Sequence, residues 1–100
     1  MKQLLVDGQL VGAERTFPSI NPATGEEIGQ APDASLEQTE TAIKAARRAF
    51  DTTDWSTDKE FRIHCLNQFH QALVKHKEEL RELTIAEVGH PRMITDGAAL

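Results

Sequence analysis

A single thiol, four imidazoles and a run of carboxylates are the groups in this chain that could do chemistry. A nucleophilic cysteine is expected at a helix N-terminus or beside a base. Cys65 instead falls in the middle of a helical stretch, on its apolar stripe, and reads as a small buried hydrophobe. His64, His70 and His76 recur every six residues, with His90 further on. Two histidines grip a metal from one helix face when they stand at i and i+4. A spacing of six spreads them round the helix, which argues against a metal site, and His70 and His76 read as solvent-facing or as filling the edge of the stripe. Glu78, Glu79, Glu82 and Glu87 could do acid–base work if buried together in a cleft. Lys75, Lys77 and Arg81 are threaded among the first three, which marks a solvated face; Glu87 stands outside that run. No Gly-x-Gly-x-x-Gly and no Gly-x-x-x-x-Gly-Lys-[Ser/Thr] occurs, so the chain has no loop of the kind that cradles phosphate. These residues yield no catalytic and no cofactor-binding group.

The elements that must position them come in two kinds. Residues 1–32 read as a hairpin and short strands. Asp7-Gly8 between Leu4-Leu5-Val6 and Gln9-Leu10-Val11 is a strong hairpin signal. Thr16 to Ile20 is extended, and Glu27 to Ala31 is another short strand, ended by Pro32-Asp33. Between them, Asn21-Pro22-Ala23-Thr24-Gly25 predicts a tight reversal. Pro22 presets φ, Asn21 and Thr24 can bond the backbone, and Gly25 can take positive φ.

Beyond Asp33 the pattern turns helical. Ser35 and Gln38 fit a capping box that opens a helix over 35–50. Ala42, Ile43, Ala46, Ala49 and Phe50 form a narrow stripe of mostly small residues. Lys44, Arg47 and Arg48 face away and favour the C-terminal end of the helix dipole. Trp55 anchors the polar connector that follows. Thr57 and Glu60 fit a second box, predicting one long helix over 57–88 with the stripe Phe61, Cys65, Leu66, Phe69, Ala72, Leu73, Leu80 and Leu83. Gly89 and Pro91 end it. The apolar pattern resumes at Met93 and Ile94, as the start of a truncated helix over 92–100.

The size allows one domain. The net charge of −5 comes from interleaved signs, without the basic clusters a nucleic-acid or anionic-membrane surface requires. One cysteine excludes an internal disulfide and suits a reducing compartment. No apolar run reads as a signal peptide or a membrane span, so the default expectation is cytoplasmic.

Three stretches together resemble the N-terminus of the NAD(P)-dependent aldehyde dehydrogenase superfamily. They are the Asp7-Gly8 hairpin with Ser19-Ile20-Asn21-Pro22-Ala23-Thr24-Gly25-Glu26-Glu27-Ile28, the helix ending Ala45-Ala46-Arg47-Arg48-Ala49-Phe50 before Trp55, and the ending Glu87-Val88-Gly89-His90-Pro91. Where the family usually has Gly-Lys-Pro, this chain has His90 in place of the lysine. The resemblance spans the chain but only the leading part of such an enzyme. It implies an α/β fold, with this segment belonging to the Rossmann-like cofactor-binding domain. It implies oxidation of an aldehyde to a carboxylic acid with NAD or NADP, through a thiohemiacetal and thioester on a cysteine beyond Leu100. A glutamate that activates water, the oxyanion-holding asparagine and the dinucleotide contacts would also lie beyond Leu100. Many members hold a monovalent cation near positions matching the Ile20 carbonyl and Glu87. Family members commonly form homo-oligomers. The segment alone is therefore expected to be inactive, and to be partly molten or to associate through uncovered stripes. The alternative reading is a non-catalytic α+β interaction module that docks a partner through those stripes.

Overall fold

The computed structural model describes residues 2–96. Strands come first and helices follow, an α/β arrangement. The described residues fall into two compact units, one of residues 2–17 and 30–67, the other of 18–29 and 68–96.

In the first unit, β1 (Leu4–Val6) and β2 (Gln9–Val11) pair antiparallel, with Leu5 opposite Leu10. Asp7 and Gly8 both take positive φ, 52° and 74°. That double requirement of a type I′ turn is why Asp-Gly specifies this hairpin. Helix α1 (Leu36–Thr52) starts at the expected box: Ser35 Oγ accepts from Gln38 N at 3.1 Å, and Ser35 N donates to Gln38 Oε1 at 3.0 Å. Ser35→Ala removes one arm of that box. It should lower stability by about 1 kcal/mol, read as a fall in the midpoint of urea unfolding followed by helical ellipticity. Two ties bind α1 to the hairpin. Gln38 Nε2 donates to the Gly12 carbonyl at 2.7 Å, and Arg48 pairs with Asp7 at 2.7 Å. The ion pair is more than half exposed at both ends and contributes little.

Helix α1 departs from expectation in two ways. It runs on to Thr52, so Arg47 and Arg48 are not in its last turn. They pair instead with Asp51 and Asp7, and Arg47 also lies 5.2 Å over the Phe50 ring. The covered face is also rotated. Ala45 is buried, whereas Ile43 and Phe50 are 65% and 47% exposed. The hairpin approaches the alanine face Ala42, Ala45, Ala46 and Ala49, where short side chains allow close contact.

After α1, Asp54–Ser56 forms a 3₁₀ turn capped by Thr53. Trp55 stacks edge-on against Phe61 at 6.2 Å, and its carbonyl accepts from Arg62. That is the anchoring expected of it. Helix α2 (Lys59–Lys75) is capped by Asp58, whose Oδ1 accepts from Phe61 N at 3.1 Å. The cap thus lies one residue later than the predicted Thr57.

The single helix expected over 57–88 is two. Helix α2 stops at Lys75 and α3 (Lys77–Val88) begins after His76, whose φ of −102° and ψ of 16° leave the helical region. No glycine or proline marks the break. The charges do: Lys75 closes α2 and Glu78 and Glu79 open α3, each suited to the helix end it occupies.

β3 (Arg15–Ile20) and β4 (Glu27–Asp33) form a second two-stranded ribbon. Six residues join them, which forces an antiparallel pairing. β4 continues through Pro32 rather than ending there. In a ribbon of two, each strand is an edge, and a proline's missing N–H can face outward. The other end of the chain also differs: Arg92–Asp96 is a 3₁₀ turn, and the rest of the helix expected over 92–100 lies outside the described residues.

Among the described residues, Ala45 is the one buried apolar side chain. Leu5, Leu66, Phe69, Val74 and Met93 are all more than half exposed. The chain exposes 7945 Å², against roughly 5,700 Å² for a compact monomer of its mass.

Candidate functional site

The second unit brings together two stretches that the sequence presents separately. The reversal after β3 closes as its residues dictate. Asn21 N donates to the Glu26 carbonyl at 2.9 Å, and Gly25 N donates to the Asn21 carbonyl at 2.8 Å. Asn21 Oδ1 accepts from Ala23 N, Thr24 Oγ1 accepts from Glu26 N, and Gly25 takes φ of 76°. At the far end of α3, Gly89 forms the left-handed cap with φ of 77°, its N–H bonded to the Ile85 carbonyl. The two meet at one point. A Cβ added to Gly89 would stand 3.1 Å from Pro22 Cγ.

Ile20 and Glu87 flank this contact in sequence. Ile20 ends β3 and is 46% exposed; Glu87 lies in the last turn of α3 and is exposed. Earlier on α3, Glu82 is paired with Arg92 at 2.6 Å. The hydrogen bond from Arg92 chiefly holds the Glu82 carboxyl below its ordinary value, with the charges of Arg92 and Arg81 adding to it. A carboxyl with a lowered value favours the fold above the ordinary carboxylate range, and loses that effect as pH falls through the lowered value. Arg81 grips Glu78 with both carboxylate oxygens in reach, at 2.9 and 3.0 Å.

The remaining candidates are distributed along α2, at the α2–α3 break and, for His90, directly after Gly89 in sequence. Cys65 is half-buried on α2, less enclosed than a core thiol. His64 and His70 are exposed on the same helix. His76 sits at the α2–α3 break with Nδ1 3.2 Å from Glu79 Oε2, and His90 is half-buried just after α3. Among the described residues no three His, Cys, Asp or Glu side chains converge. An apolar groove of about 380 Å³ runs along α2 and α3, lined by His70, Leu73, Val74, Lys77, Leu80 and Thr84. Among the described residues no helix is long and apolar enough to cross a membrane.

The sequence profile of the Aldehyde dehydrogenase family matches residues 10–99. The chain belongs to that family. It is 37% identical over 92 residues to aldehyde dehydrogenase family 2 member B4, mitochondrial, of Arabidopsis thaliana, covering 89% of this chain and 17% of that protein. It is 36% identical to 3-sulfolactaldehyde dehydrogenase of Pseudomonas putida, covering 90% of this chain and 19% of that protein. The fold superposes on the NAD-dependent aldehyde dehydrogenase of Sinorhizobium meliloti with a TM-score of 0.86 and 32% identity, over 96% of this chain and 20% of that one. The chain thus spans less than a fifth of the length of these two sequence relatives.

Proposed function

We propose that this chain is the N-terminal segment of an NAD(P)-dependent aldehyde dehydrogenase that oxidises an aldehyde to a carboxylic acid. The match across residues 10–99, with 90% of the chain aligned to a 3-sulfolactaldehyde dehydrogenase, is the observation that supports it. The segment's own part is structural. It packs on the cofactor-binding domain through its apolar faces, and the nucleophile and dinucleotide contacts come from elsewhere in the protein. The lone cysteine fits a protein of a reducing compartment such as the cytoplasm, and the mixed-sign charge is unlike a nucleic-acid or anionic-membrane surface; homo-oligomerisation of the whole protein rests on the family resemblance alone.

The test is an assay of the product of the whole gene. With NAD⁺ or NADP⁺ and a range of aldehydes it should generate the absorbance of reduced nicotinamide, and the 100-residue chain alone should generate none. A folded, dinucleotide-binding product that reduces no cofactor with any aldehyde would overturn the reading. Turnover by the short chain alone would do the same.

The Ile20 carbonyl and the Glu87 carboxylate are the groups here that would hold a monovalent cation. Hard oxygen donors suit such an ion, and the C-terminal end of a helix attracts positive charge. Pro22 and Gly89, each two residues beyond a donor, lie against one another, which supports bringing the donors to one place. Two donors leave most of the shell to other groups. At ten times its dissociation constant the ion would stabilise the fold by about 1.4 kcal/mol. Melting the whole protein in potassium or sodium chloride should therefore give a higher Tm than in choline chloride, and Glu87→Gln should erase the difference. Equal melting of the unsubstituted protein in all three salts removes the proposal.

A further inference from the structure

We draw no further inference here: the strongest candidate, the apolar groove along α2 and α3 lined by His70, Leu73, Val74, Leu80 and Thr84, carries nothing because nothing in the structure shows what covers it.

Discussion

Replacing Gly89 with alanine in the whole protein is expected to cost about twice as much stability as replacing Gly25. Both glycines hold the same left-handed backbone, with φ of 77° and 76°. An L-residue there loses roughly 1–2 kcal/mol to the crowding of its Cβ against the following carbonyl. At Gly25 that is the whole effect, because a new Cβ meets nothing within 4 Å. At Gly89 it meets Pro22 Cγ at 3.1 Å. The pyrrolidine ring is rigid, and the turn behind it is fixed by the Asn21 and Thr24 bonds, so neither can give cheaply. Such overpacking adds about 1–3 kcal/mol. The comparison is a shift in urea midpoint for Gly25→Ala and Gly89→Ala, each also made with Pro22→Ala. The second substitution should recover part of the loss at position 89 and none at position 25. Equal losses at the two glycines, with no recovery, would show that the contact with Pro22 has no energetic weight. Gly25→Asn should be nearly harmless, since asparagine tolerates this backbone.

The 100-residue chain on its own should associate, or hold its helices without fixed packing. Its surface exceeds that of a compact monomer by roughly 2,200 Å². A stable interface takes roughly 800 Å² from each partner, so the uncovered area is ample for self-contact. Large apolar side chains, among them Leu36, Ile43, Leu66, Phe69 and Val74, lie in the exposed surface, and exposed apolar groups favour contact with another chain. Phe69 and Val74 are 62% and 60% exposed on α2, so neither holds that helix in place. Phe69→Gln with Val74→Lys should therefore weaken association at least tenfold while helical ellipticity stays the same. Sedimentation and dye binding over a range of concentrations would measure this. A monodisperse chain with sharp, dispersed amide resonances and no dye binding at any concentration would refute it.

The residues most legible in the sequence are those whose geometry is local. Asp7-Gly8, Asn21 to Gly25, Ser35 with Gln38, and the Gly89 cap each specify a turn or a helix end through bonds that span at most five residues. The break at His76 was written in the charges of Lys75, Glu78 and Glu79, yet without a glycine or proline it does not stand out from a solvated helix face. The passage of β4 through Pro32 depends on that strand having a single neighbour, which no local pattern states.

What the chain's own order of residues determined is its tight turns, the caps at Ser35 and Gly89 and its family membership, because each rests on neighbours in sequence or on short motifs. Tertiary structure alone decided that the hairpin lies on the Ala45 face of α1 and leaves Ile43 and Phe50 in solvent. It also decided that Pro22 and Gly89 touch. Helical periodicity identifies apolar positions, but which of them is covered depends on what packs there. Gly89 is suited to its place twice over, by its backbone angle and by the ring it faces, and the second reason exists once residues 67 apart in sequence have met.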